Sequence, residues 1–137
     1  MILAFPPLEG EVVLKIPGET QFTGWCVKAS FISCGDIIKT EKDFIANLDF
    51  AKTDDKITVR RRQPGDWFQP LGLGQPKKLG RFMIDARIAQ SWRERIPIVA
   101  SPQQVVWVAG WRIDDRVKIT ETTRNILRLE FQRTDDN

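Results

Sequence analysis

The apolar residues of this 137-residue chain come in short runs, each interrupted by proline, glycine or charge before a long helix could form. Glu11-Val-Val-Leu-Lys-Ile16 reads as a strand that stops at Pro17-Gly18, where proline fixes one turn dihedral and glycine permits the next. Extended runs of the same kind occupy residues 22–32, 44–50, 104–109 and 125–131. Over residues 56–62, Ile57 and Val59 alternate with Lys56, Thr58, Arg60 and Arg62, which predicts a strand with Arg60 and Arg62 on one face and Arg61 on the other. Gln63-Pro-Gly-Asp66 then carries Pro and Gly where a type II turn needs them. Leu79, Phe82 and Met83 stand at i, i+3 and i+4 and predict a short helix over residues 77–86, with one more helical turn at 91–95 and extended structure again at 96–100. The expected fold is α+β: a mostly antiparallel β layered sandwich with one or two short helices.

The length suits one domain, expected over residues 11–132, with 1–10 a linker from an upstream domain and 133–137 a frayed tail. Hydrophobic content of 42% and charged content of 28% argue against disorder and against a membrane or collagen-like class. No apolar run approaches the roughly 18–20 residues that cross a bilayer. Cys26 and Cys34 are the only cysteines and histidine is absent, so a zinc site is not expected. With no secretory signal in view, two reduced cysteines in a cytoplasmic protein are the natural expectation. Without histidine, acid/base work at neutral pH would fall to carboxylates, lysine or cysteine. No spacing offers a nucleophile with its base, so neither a catalytic nor a metal site is expected on this chain.

Charge is distributed unevenly. Residues 1–59 hold six lysines against nine acids, residues 60–95 hold nine Lys/Arg against Asp66, Asp85 and Glu94, and the rest balances at six against six. Such a segment is either a solvated basic face or a surface that meets a polyanion. If it binds phosphate, the candidates are Arg60, Arg62, Lys77, Lys78 and Arg81, with Arg87, Arg93 and Arg95 behind them. Guanidinium forks take phosphate oxygens two at a time, and lysines add point charge. Lys77 and Lys78 would oppose the dipole of the helix they precede, so helix stability does not explain them. Trp67, Phe68 and Trp92 interleave with these cations and are expected mainly in the core, as are Trp107 and Trp111. Gly72-Leu-Gly74 lacks the spacing of a phosphate loop and reads as a flexible presenter of the lysines. Asp114 and Asp115, beside Arg112 and Arg116, are expected to pair or cap a turn rather than hold a metal.

In order, Val59-Arg-Arg-Arg-x-Pro-Gly-Asp-x-Phe-x-Pro-Leu-Gly72, Lys77-Lys-Leu79, Phe82-Met-Ile-Asp85, Arg93-x-Arg-x-Pro97 and Val106-Trp-Val-Ala-Gly-x-Arg-Ile-Asp114 resemble the C-terminal domain of bacterial tRNA(Ile)-lysidine synthetases. The blocks lie in register over residues 57–120. The resemblance implies an ATP-dependent ligase that attaches lysine to the wobble cytidine of isoleucine tRNA with a CAU anticodon. It also implies a fold similar to a domain of the phenylalanyl-tRNA synthetase β-subunit. The family's ATP-binding loop, Ser-Gly-Gly-x-Asp-Ser, lies in an N-terminal domain, and no Ser-Gly pair occurs here. ATP and magnesium are therefore expected in that catalytic domain and no cofactor on this chain. The implied partners are the tRNA and the catalytic domain, and no membrane. The alternative is a protein-interaction or dimerisation module, with a homodimer as its product. Trp67 stands where the family usually carries a charge, and Gly80 where it carries a bulkier residue.

Overall fold

The computed structural model describes residues 5–36 and 44–134. Its strands are β1 (Glu11–Val13), β2 (Gly18–Phe22), β3 (Trp25–Ile32), β4 (Ile45–Asp49), β5 (Thr58–Arg60), β6 (Trp67–Phe68), β7 (Lys77–Lys78), β8 (Ile98–Ser101), β9 (Gln104–Val108), β10 (Arg112–Ile113) and β11 (Ile126–Arg133). One α-helix, α1 (Leu79–Asp85), and a 3-10 turn at Gln90–Arg95 supply the two short helices. The strands form a five-stranded sheet in the order β1-β5-β8-β9-β10 and a four-stranded sheet in the order β2-β3-β11-β4. A two-stranded ribbon, β6-β7, leads into α1. Every pairing is antiparallel.

Alternation decides which residues the sheets bury. Strand β11 pairs with β3 from Ile126↔Ile32 to Arg133↔Trp25, and its Leu127, Leu129 and Phe131 enter the core while Arg128 and Glu130 stay nearer solvent. Opposite Leu129 and Phe131 lie the buried Ala29 and Val27, while Leu127 faces the exposed Phe31 and the buried Trp25 stands opposite Arg133. Strands β5, β8 and β9 add Val59, Ile98, Val99, Val106, Trp107 and Val108, each at most 2% exposed. Rings of Trp107 and Phe131, 5.4 Å apart and edge to face, join the two sheets. Fully burying each such side chain is worth about 1.5–3 kcal/mol, so this shared core holds the sandwich closed.

The structure departs from the sequence reading in identifiable places. Residues 22–32, expected as one strand, belong to a hairpin whose turn is Thr23-Gly24, with φ of 30° and 88°. Two consecutive positive φ values suit the twist of a two-residue hairpin, but Thr-Gly signals it more weakly than Asn-Gly. Lys77 and Lys78 precede the helix as strand β7, paired with Phe68 and Trp67. The strand expected at 56–62 is shorter and ends at Arg60. Residues 5–10, expected in a linker, show no break in packing: Phe5 and Leu8 are buried, and the Phe5 ring lies 4.7 Å from that of Trp92. At the other end Arg133 closes β11 and Thr134 N–H donates to the Gly24 carbonyl at 2.9 Å, so these two are ordered into the sheet, while 135–137 lie outside the described residues. Both cysteines are free. No helix among the described residues is long and apolar enough to cross a membrane.

Gly24 is required twice over: its φ is 88°, and a Cβ there would lie 2.7 Å from the Pro6 ring. Gly24→Ala is therefore expected to cost about 2–3 kcal/mol in urea unfolding, combining backbone strain with overpacking. Gly72→Ala, at φ 90° but with no atom within 4 Å, should cost only about 1 kcal/mol.

Candidate nucleic-acid interface

The basic segment folds around the turn at residues 63–66. Asp66 N–H donates to the Gln63 carbonyl at 3.1 Å and Gly65 takes φ 86°, as the type II turn requires. The Asp66 carboxylate accepts the Gln63 N–H at 2.8 Å and both terminal nitrogens of Arg60, at 2.9 and 3.1 Å. The Asp66 carbonyl accepts the Leu79 N–H at 2.9 Å, which satisfies a donor at the start of α1 and fixes helix against turn. Arg60 is thus committed: its side chain is only 14% exposed and its fork is filled by one carboxylate.

Arg62 turns the other way, its Nε donating to Glu94 at 2.7 Å. Its guanidinium passes so close to α1 that a Cβ at residue 80 would lie 3.3 Å from Nη1, so Gly80 makes the room that Arg62 occupies. At the helix, Lys77 from β7 pairs with Asp85, and Arg81 on α1 lies 3.3 Å from the same carboxylate. The hydrogen bond from Lys77, helped by the charge of Arg81, holds the Asp85 carboxyl below the usual carboxylate range. Between the turn and the helix lies a groove of about 540 Å³, lined on its basic side by Arg62, Lys78 and Arg81 and on its apolar side by Pro64, Leu79 and Ile84.

Magnitudes separate the available cations from the spent ones. Exposed ion pairs contribute about 0–1 kcal/mol, so Glu94 and Asp85 hold Arg62, Arg81 and Lys77 loosely against a competing polyanion. The bidentate, nearly buried Arg60–Asp66 pair will not open so readily. Arg61, Lys78 and Arg87 have no carboxylate within ion-pair distance among the described residues. Arg93 and Arg95 donate to the carbonyls of Ile88 and Phe5, both at 3.0 Å, and brace the chain. Arg87 sits just past α1 at φ 61°, where Arg87 N–H bonds to the Ile84 carbonyl and Ile88 N–H to the Met83 carbonyl, both at 3.0 Å. This is a Schellman ending with arginine in the place glycine usually takes. Of the eight cations singled out by sequence, the structure brings Arg62, Lys78 and Arg81 to one groove. Lys77 faces the neighbouring hollow with Arg112, Arg60 is occupied, and Arg87, Arg93 and Arg95 do not line the groove.

The second organising group is Asp114, which is fully buried. Its carboxylate accepts the Gln69 N–H at 2.9 Å, the Arg116 N–H at 2.7 Å, and Arg116 Nε and Nη2 at 2.9 and 2.7 Å. That pairing raises the Arg116 pKa above its ordinary value. Held in this way, the Arg116 guanidinium lies 4.9 Å over the Trp67 ring. Phe68 and Trp107 are in the core as expected and Trp92 and Trp111 are partly buried against it, but Trp67 is 44% exposed. Its position directly after the turn, opposite Lys78, was hidden from sequence because the β6-β7 ribbon that orients it is too short to show periodicity.

Residues 57–131 match the family model described as the TilS substrate C-terminal domain. The chain is 40% identical over 129 residues to the tRNA(Ile)-lysidine synthase of Dehalococcoides mccartyi (strain CBDB1), covering 93% of this chain and 27% of that protein. It is 36% identical over 121 residues to the tRNA(Ile)-lysidine synthase of Caldanaerobacter subterraneus subsp. tengcongensis, covering 87% and 26%. The chain thus spans about a quarter of the length of these relatives. A solved structure described as the crystal structure of TILS C-terminal domain superposes with a TM-score of 0.76 over 93% of this chain and all of that one, at 23% identity.

Stability should follow the division between committed and loose pairs. Asp114→Ala is expected to cost about 3 kcal/mol in chemical denaturation, since it strips Arg116 and two backbone N–H groups of one acceptor. Arg60→Ala should cost about 1–3 kcal/mol by stranding Asp66, and Arg81→Ala less than about 0.5 kcal/mol. Equal losses for Arg60 and Arg81 would contradict the assignment.

Proposed function

The chain belongs to the TilS substrate C-terminal domain family, and from that premise we propose that it grips tRNA for a tRNA(Ile)-lysidine synthase whose chemistry is done elsewhere in a longer protein. The observation that carries this reading is the groove at which Arg62, Lys78 and Arg81 converge: of its two acids, Glu94 sits in an exposed pair that a polyanion can displace, and Asp66 is already neutralised by Arg60. Cations so placed bind backbone phosphates, which sets the position of the RNA without reading its sequence. The reaction proposed for the whole protein is the ATP-dependent attachment of lysine to the wobble cytidine of isoleucine tRNA, with ATP and magnesium held by the N-terminal catalytic domain. The expected kinship with a domain of the phenylalanyl-tRNA synthetase β-subunit, another tRNA enzyme, fits the same role. This chain's contribution is affinity and placement of the substrate in the cytoplasm. A second reading, a docking or dimerisation surface, is favoured by Leu71 and Leu73, exposed on the loop between β6 and β7.

Binding of tRNA to the 137-residue chain should weaken steeply as salt rises, because each neutralised phosphate releases counterions. Lys78→Glu with Arg81→Glu should lower affinity at least about tenfold and flatten that salt slope. Unchanged RNA binding with altered sedimentation would favour the docking reading instead. Asp85→Asn removes the carboxylate that competes for Lys77 and Arg81, and should raise affinity about twofold to fivefold, in line with the worth of an exposed pair.

A further inference from the structure

The proposed role of the basic groove leaves Trp67 unexplained, and its surroundings are those of a built surface rather than of a core residue left at the edge. The Arg116 guanidinium lies 4.9 Å over the indole, and Arg116 is itself anchored by the fully buried Asp114. The ring is therefore held in place, yet it remains 44% exposed. It borders a hollow of about 200 Å³ between the turn at residues 63–66 and the β8-β9 hairpin, which Arg116 does not line. That volume is below the roughly 300–1,000 Å³ of pockets for drug-sized ligands and suits a single planar ring system.

The chemistry of the other walls is equally selective. Gln103 and Gln104 line the hollow, and no hydrogen bond to either side-chain amide is present among the described residues. An amide offers both donor and acceptor, the complement of a nucleobase edge. Asp66 also lines the hollow, but its charge is met by the bidentate Arg60, so an electron-rich ring is not repelled. Lys78 is the direct cross-strand partner of Trp67 in the β6-β7 ribbon and is exposed, so the two side chains leave the same face of the ribbon.

We propose that Trp67 is a stacking platform for one unpaired nucleotide of the bound RNA, its base entering the hollow toward Gln103 and Gln104 and its phosphate meeting Lys78. The inference rests on the RNA-binding reading and adds to it a contact that requires a base freed from pairing. Aromatic side chains commonly hold splayed or single-stranded bases in this way.

The test compares fluorescence anisotropy of labelled RNA hairpins, one blunt and one with a short single-stranded 3′ extension, on the 137-residue chain. The extended hairpin should bind the wild type roughly fivefold to a hundredfold more tightly, the range expected for one base stacked on an aromatic ring. Trp67→Ala should erase that advantage without changing the salt slope or the binding of the blunt hairpin. Trp67→Phe should restore most of it, and native circular dichroism of the alanine variant would show that its loss is not unfolding. Joint replacement of Gln103 and Gln104 by alanine should level differences among extensions of different base composition. If the wild type binds both hairpins equally and with strong salt dependence, the platform is overturned and the groove reading stands. If Trp67→Ala weakens both hairpins alike, the platform is likewise overturned. If the wild type binds neither RNA, both readings fall.

Discussion

A buried aspartate holds the β6-β7 region of this protein against the larger sheet. Asp114 sits at zero exposure and spends its carboxylate on Gln69 N–H, on Arg116 N–H and on the Arg116 guanidinium. Its own N–H donates to the Val106 carbonyl at 2.8 Å, and Asp115 N–H donates to the Gln69 carbonyl at 2.6 Å. One residue thereby ties the loop after β6 to strand β9 and to the turn after β10. A carboxylate so buried is tolerable only because every lone pair is met. The same group that makes the link also aims Arg116 over Trp67.

Around that link the basic segment divides by how its charges are held. Asp66 commits Arg60 to the turn, and the turn in turn receives the first N–H of α1. Strand β7 and the helix then carry Lys78 and Arg81 to the groove, opposite an Arg62 for which Gly80 leaves room. Two neighbouring arginines in one tripeptide therefore do unlike work: Arg60 secures the scaffold and Arg62 faces the groove. Burial decides between them, since a bidentate pair sheltered from water resists competition and an exposed one does not.

Much of the scaffold was legible from local pattern. Alternation located β4, β9 and β11, the Pro-Gly signals located the turns after residues 16 and 63, and the i, i+3, i+4 spacing located α1. The ordered blocks from Val59 to Asp114 carried the family resemblance, which the match over residues 57–131 bears out. Elements of two residues left no periodic trace, so β6, β7 and β10 could not be seen, nor could a hairpin turned by Thr23-Gly24. Residues 5–10 likewise read as a linker because Phe5 and Leu8 are too few to form a pattern, although both enter the core.

For the candidate site, reading the chain locally was enough to expect a positively charged segment with few acids between two β regions, and a structural role for Asp114 and Asp115. Those conclusions need only composition, spacing and the chemistry of each side chain. Which cations reach the groove follows only from tertiary contacts. Glu94 reaches Arg62 across 32 positions of chain, Arg116 covers Trp67 from the turn after β10, and Arg95 reaches back 90 positions to the Phe5 carbonyl. Whether an arginine is free or spent depends on carboxylates and carbonyls that are distant in sequence. No local pattern encodes them, because the pairing exists only once the sheets have packed.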